Sequence, residues 1–195
     1  NQKPNLTMKK TITFLFLILF FTPVFTQNDK SDCKDHPLIT RYPGAEIGWC
    51  SEESFSQYHL AVGPQTGYRH IDEWIDLEGK VFRTYYTIKT GATVNDVYQN
   101  YRNSIQRGGF EILAKGLNPQ RNVGKEVGGN TWLRTFYAKN PFPTDSGVKI
   151  IVGSSTSAGA GFVAGLLDRP SGKVYIGVAV YQYSSEEVLV VQDII

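Results

Sequence analysis

The chain runs to 195 residues with a formal net charge of +2, but that sign belongs to its first segment. Lys3, Lys9 and Lys10 precede residue 28, and beyond it 17 basic residues face 18 acidic ones, so the domain proper is near neutral. No cluster of lysine and arginine offers the basic face that phosphate neutralisation requires, which excludes nucleic acid as a partner.

Residues 1–7 precede the only methionine, Met8, carry no periodic apolar pattern and read as an upstream extension. From Met8 the order is Lys9-Lys10, an almost unbroken apolar run from Ile12 to Phe21, and then Thr22-Pro23-Val24-Phe25-Thr26-Gln27. These are the positive, apolar and polar regions of a secretory signal peptide. The run is shorter than the roughly 20 apolar residues a spanning helix needs, and Pro23 ends it. It therefore reads as a leader cleaved near Thr26 to Asn28, leaving an exported mature domain that does not span the membrane. Cys33 follows the polar stretch Asn28 to Asp32, which is not the arrangement of a lipoprotein.

The 168 residues after Gln27 suffice for one domain with a core. Residues 28–32 read as a polar linker, 33–50 as an N-terminal arm and 51–195 as the core of a single α+β domain. Cys33 and Cys50 are the only cysteines, and an even number beyond an export signal predicts a disulfide. Closing the intervening loop is worth about 3 kcal/mol in chain-entropy terms. Partial alternation predicts strands over 57–62 and 68–77 around the turn Gly63 to Gly67, with a clearer strand over 80–89 after Glu78-Gly79.

Thr93 and Asp96 form a capping-box pattern, followed by Val94, Val97, Tyr98, Tyr101 and Ile105 at helical spacing. Gly108-Gly109 ends that helix and residues 110–114 leave as a strand. Glycine, asparagine and charge make 115–129 a loop. A second helix is expected over 130–139, where Trp132, Leu133, Phe136 and Tyr137 recur, stopped by Asn140-Pro141-Phe142-Pro143. A strand over 148–152 and a polar turn over 153–159 follow.

The last third predicts a hairpin, 160–167 and 173–183, around Asp168-Arg169-Pro170-Ser171-Gly172. In its return strand Val174, Ile176, Val178 and Val180 share one face, while Tyr175, Gly177, Ala179, Tyr181 and Tyr183 share the other. That alternation suggests one face under helices and one open to solvent. Residues 188–195 add a last strand, and an apolar ending without a polar tail is expected of a truncated chain. The expected fold is α+β, a mostly antiparallel sheet with two helices packed on one face.

The stretch Lys34-Asp35-His36-Pro37-Leu38-Ile39-Thr40-Arg41-Tyr42-Pro43-Gly44 resembles the opening of an uncharacterised N-terminal domain of outer-membrane OmpA-like family proteins of Gram-negative bacteria. Fainter similarity lies at Glu78-Gly79-Lys80-Val81, at Asn100-Tyr101 with Gly109-Phe110-Glu111, and in the hairpin from Gly161 to Tyr181. The resemblance implies a periplasmic or outer-membrane-associated setting. Peptidoglycan attachment in such proteins belongs to a C-terminal domain, and the sequence stops before any such region, so the resemblance does not carry that activity over.

Catalytic patterns are sparse. His36, His59 and His70, with Asp35, Asp72 and Glu73 nearby, lack the short fixed intervals of a readable metal site, so neither metal nor cofactor is expected. Gly159-Ala160-Gly161-Phe162-Val163-Ala164-Gly165 would need to open a helix to cradle phosphate, and Asp168-Arg169-Pro170 arrives too soon. No Gly-x-Ser-x-Gly elbow exists, and Ser154-Ser155-Thr156-Ser157 reads as a solvated loop. Glu52-Glu53 and Glu186-Glu187 point to opposite faces on a strand and make no acid/base couple.

The remaining clue is aromatic: Tyr85, Tyr86, Tyr175, Tyr181 and Tyr183 on strands, with Trp49, Trp74 and Trp132 elsewhere. Tyrosine on an open sheet can bind glycans or proteins, although core packing and β-propensity explain it better, because strands recruit aromatics regardless of ligand. His36 and Arg41 are candidates to hold the arm in place, and Tyr175, Tyr181 and Tyr183 are candidates for binding. The expected function is a non-catalytic envelope binding or scaffolding module for an unknown protein or glycan. The alternative is a periplasmic hydrolase, for which His36 or His70 must meet a carboxylate and a serine in one cleft.

Overall fold

The computed structural model describes residues 28–118, 127–150 and 159–195. The leader, the middle of the 115–129 loop and the cluster Ser154 to Ser157 lie outside the described residues. In chain order the elements are β1 (Glu46–Ala61), β2 (Gln65–Gly67), β3 (His70–Ile71), β4 (Trp74–Ile88), α1 (Val94–Arg107), β5 (Glu111–Asn118), α2 (Asn130–Lys139), β6 (Ala160–Arg169), β7 (Gly172–Gln182) and β8 (Val188–Ile194). Six strands form one sheet in the order β1-β4-β8-β7-β6-β5, every neighbouring pair antiparallel, and β2 and β3 form a small sheet beside it. The fold is α+β and mostly antiparallel β.

The first hairpin is longer than alternation suggests. β4 runs through Glu78-Gly79 without a break, and β1 begins at Glu46, crossing the arm–core boundary set at residue 50. The period-two pattern fails because β1 is an edge strand with an irregularity between Glu53 and Ser56, and residues 52–55 are exposed with no core to face. Residues 28–32 are not a loose linker either. Lys30 N–H donates to the Ile47 carbonyl at 2.9 Å and Ile47 N–H to the Asp29 carboxylate at 2.8 Å, which pins the segment along β1.

Helix α1 starts where its capping box predicts. Asp96 N–H donates to Thr93 Oγ1 and Thr93 N–H to Asp96 Oδ2, each at 3.2 Å. Its buried stripe is Val94, Val97, Tyr98, Tyr101 and Ile105, and Gly109 beyond it takes φ +82°, the left-handed geometry that glycine adopts without strain. β5 then extends to Asn118, into the stretch expected to be loop. Residues 148–150, the described part of the expected strand 148–152, are irregular and lie against the sheet, where Tyr181 donates its hydroxyl to the Lys149 carbonyl at 2.6 Å.

The two helices lie on opposite faces of the sheet, not on one. Neighbouring residues of β6 show this directly: a Cβ on Gly161 would meet the Tyr98 ring of α1, while the Phe162 ring packs 4.7 Å from that of Trp132 on α2. Val178, Val180 and Val190 join the α1 core, and Ala179, Tyr181 and Val191 join the α2 core. The face carrying Tyr, Gly and Ala looks solvent-exposed in sequence because its side chains are small or polar-tipped. Small residues there make room instead, since a Cβ on Gly177 would lie 3.1 Å from Phe162 and 3.3 Å from Leu60.

The close approach of α1 to β6 gives a direct expectation. A Cβ at position 161 would lie 2.5 Å from Tyr98 Cδ2 and 2.9 Å from Cε2. Gly161→Ala should cost about 1–3 kcal/mol through overpacking. Gly79→Ala, whose Cβ would meet nothing nearer than 3.9 Å, should stay within about 0.5 kcal/mol. Urea midpoints of the two variants check this, and equal losses would place α1 elsewhere.

Candidate functional site

The arm is held by one arginine. Arg41 Nη1 and Nη2 donate to the two carboxylate oxygens of Asp29 at 2.7 and 2.8 Å, Nε donates to Asp35 at 2.8 Å, and Nη1 also reaches the Ala45 carbonyl at 3.0 Å. The fork geometry of guanidinium suits this bidentate grip. Tyr86 from β4 donates its hydroxyl to Asp35 at 3.0 Å, and the guanidinium lies 5.7 Å from its ring centre. The Arg41 hydrogen bonds hold the Asp29 carboxyl below its ordinary range despite partial burial, with the Ile47 amide adding to the effect.

A disulfide joins Cys33 to Cys50, tying the arm to β1. Such a bridge belongs to an oxidising, exported environment. His36 packs edge-on against Phe82 at 4.7 Å between ring centres, and burial, with Arg169 close by, favours its neutral form.

The three candidate tyrosines share a strand face but not an environment. Tyr181 is fully buried under the α2 layer and cannot meet a ligand in this structure. Tyr175 and Tyr183 are half-buried, the first exchanging backbone hydrogen bonds with Ile195 and the second lying under the Lys149 ammonium at 4.6 Å.

Sequence reasoning missed a charged centre inside the α2-side core. Arg83 of β4 and Asp193 of β8 are register partners, and Arg83 Nε donates to Asp193 Oδ1 at 3.1 Å with the aspartate 0% exposed. Tyr58 of β1 donates to Asp193 Oδ2 at 2.6 Å. The guanidinium also donates to the Pro141 carbonyl at 2.8 Å and the Asn140 carbonyl at 3.0 Å, and it covers the Phe142 ring at 3.8 Å. Asn140 is itself clamped: it accepts from His59 N–H at 3.0 Å and donates to the His59 carbonyl at 2.8 Å. Burial pushes the Tyr58 phenol well up, and Asp193 adds to the shift. Burial is the largest influence and opposes the charge on Arg83, but Asp193, Tyr58 and Tyr137 together outweigh it and the guanidinium stays charged. The one signal available in sequence was Asp193, a charge inside the mostly apolar run of β8; Arg83 shares its strand with Asp76, Glu78 and Lys80 and does not stand out.

By fixing the end of α2, this centre shapes a cleft of about 1060 Å³ between α2, β3 and the segment 141–150. Its floor is apolar, from Ile71, Trp74, Tyr137, Phe142, Val148 and Ile150, and its rim carries Arg69, His70, Asp72, Arg134, Lys139 and Ser146. His70 Nε2 meets Asp72 Oδ1 at 2.7 Å, and both side chains are more than half exposed. A hydrogen bond from Thr66, then one from His70, holds the Asp72 carboxyl below its ordinary range. Ser146 Oγ accepts from Val148 N–H at 3.2 Å. His70, a carboxylate and a serine thus share one cleft, but the pair stands in water at its mouth rather than in a desolvated site. His59 pairs with Asp76 at 2.7 Å outside this cleft, and His36 lines a smaller groove near Ile195. Among the described residues no group of three or more His, Cys, Asp and Glu could hold a metal ion, and no helix is long and apolar enough to cross a membrane.

No protein-family model matches this chain, and no curated protein matches it.

Two outcomes follow from these centres. Arg83→Met strands a buried carboxylate and should cost about 3–5 kcal/mol in urea unfolding. Adding Asp193→Asn should return part of that loss, because a neutral amide still accepts from Tyr58; no recovery would mean the charge pairing is irrelevant. For the arm, a depressed Asp29 pKa gives stability that is present above the ordinary carboxylate value, about 3.9, and lost as pH falls through the folded value. Asp29→Asn should therefore flatten the acid limb of a thermal stability profile, while wild type loses stability on acidification. Superimposable acid limbs would remove Asp29 from the account.

Proposed function

We propose that this domain is an exported, non-catalytic binding or scaffolding module of the cell envelope, and that its partner docks in the cleft beside α2. One observation carries the reading: a concave apolar floor with a few polar side chains on its rim, formed where α2 and β3 face the segment 141–150. The leader and the disulfide support an exported setting, and the resemblance of residues 34–44 to the N-terminal domain of OmpA-like proteins supports a periplasmic or outer-membrane-associated one. Protein and glycan partners both fit a cleft of this size.

The second reading, a periplasmic hydrolase, draws on the presence of His70, Asp72 and Ser146 around the same cleft. Hydrogen exchange of the protein with and without isolated envelope fractions separates the two. Binding predicts protection over residues 69–74 and 134–150, without release of cleaved product. Protection confined to other surfaces would sink the cleft as the docking site. Ester or amide turnover lost in His70→Ala would instead establish the hydrolase.

A further inference from the structure

We infer that the cleft beside α2 selects an acidic polypeptide segment, carboxylate side chains interleaved with apolar ones, over a neutral glycan. This rests on the reading of that cleft as the binding site, and it names the chemistry of the occupant.

Charge is the first ground. The mature domain is near neutral, yet the cleft gathers Arg69, Arg134 and Lys139, while Asp72 is the one acidic residue among its described lining. Asp72 is already engaged, its carboxylate meeting His70 at 2.7 Å and accepting from Thr66. The exposed rim cations Arg69 and Lys139 alone outnumber that one carboxylate, and the excess favours anionic over cationic groups at the opening.

The state of the aromatic rings is the second ground. A neutral sugar needs an open aromatic face to lie flat against. In this cleft the Trp74 ring has the Lys139 ammonium over it at 4.3 Å and Phe136 stacked at 6.1 Å with 13° between planes. Phe142 lies under the Arg83 guanidinium at 3.8 Å and against Tyr137 at 5.2 Å. These faces are spent on the protein's own cations and rings. What remains open on the floor is aliphatic, from the half-buried Val148 and Ile150, and this suits aliphatic or aromatic side chains of a ligand.

Size is the third. At about 1060 Å³ the cleft stands at the upper end of small-molecule sites, roughly 300–1,000 Å³, so it accommodates several consecutive residues rather than one free carboxylate.

The test uses the chain purified from cells expressing the full sequence. Four labelled probes are compared by fluorescence anisotropy: a peptide alternating glutamate with leucine and phenylalanine, its glutamine counterpart, a neutral N-acetylglucosamine oligomer and an acidic polygalacturonate oligomer. The glutamate peptide should bind saturably and about tenfold tighter than the glutamine peptide, with the gap closing as salt rises. Lys139→Gln with Arg69→Gln, both rim substitutions, should erase most of that gap while leaving the melting temperature near wild type. If the pair does destabilise the fold, Lys139→Glu alone serves, and it should erase the preference for the glutamate peptide over the glutamine one. Equal binding of the two peptides, insensitivity to Lys139, or preference for either oligosaccharide overturns the inference; sugar binding that protects the cleft would still leave the binding-module reading standing. Failure of every probe together with His70-dependent ester turnover overturns that reading as well.

Discussion

Arg83 and Asp193 sit opposite one another across β4 and β8, inside a sheet covered on both faces. Two charges taken out of water are costly unless their remaining hydrogen-bonding capacity is met, and here it is met from three directions. Tyr58 reaches in from β1, the Asn140 and Pro141 carbonyls from the end of α2, and Phe142 covers the guanidinium. The arrangement ties the N-terminal hairpin, the C-terminal strand and the exit of α2 into one unit. A one-residue slip of β8 would turn Asp193 toward the apolar α1 layer and away from Arg83, so the pair enforces register as well as contact.

That constraint explains why the cleft exists where it does. Pro141 and Phe142 are held down onto Arg83, so the chain leaving α2 must turn along the sheet rather than continue outward. The wall from 141 to 150 follows, and Tyr181 secures its far end through the Lys149 carbonyl. The cleft is thus a consequence of how the ionic centre is satisfied, and its rim cations face a floor that the core had already made apolar.

The N-terminal region solves a separate problem by similar means. The arm contributes Ile39, Ala45 and Ile47 to the α1-side core but has no regular structure before Glu46, so its backbone must be fastened by other groups. Arg41 does this with two carboxylates and a carbonyl, and the Cys33–Cys50 bridge closes the same loop from outside. Asp29 adds a further tie by accepting from the Ile47 amide at 2.8 Å, so the segment before the arm is fastened to β1 as well.

Local chemistry was legible in the sequence, because its causes are local. The capping box at Thr93, the helical stripe of α1, the glycine stop, the C-terminal hairpin and the pairing of the only two cysteines each depend on residues close together or few in number. The same reasoning could not see that β1 begins at Glu46 and runs through residues 52–55, since an exposed edge strand carries no alternation to read. It could not assign the face of Tyr181, because small and polar-tipped residues look alike whether they meet water or make room for a helix. Nor could it join Arg83 to Asp193, 110 positions apart, or bring Arg69, Arg134 and Lys139 around one opening. Those were decided by tertiary structure alone: side chains distant in sequence become neighbours only once the sheet order and the two helix placements are set.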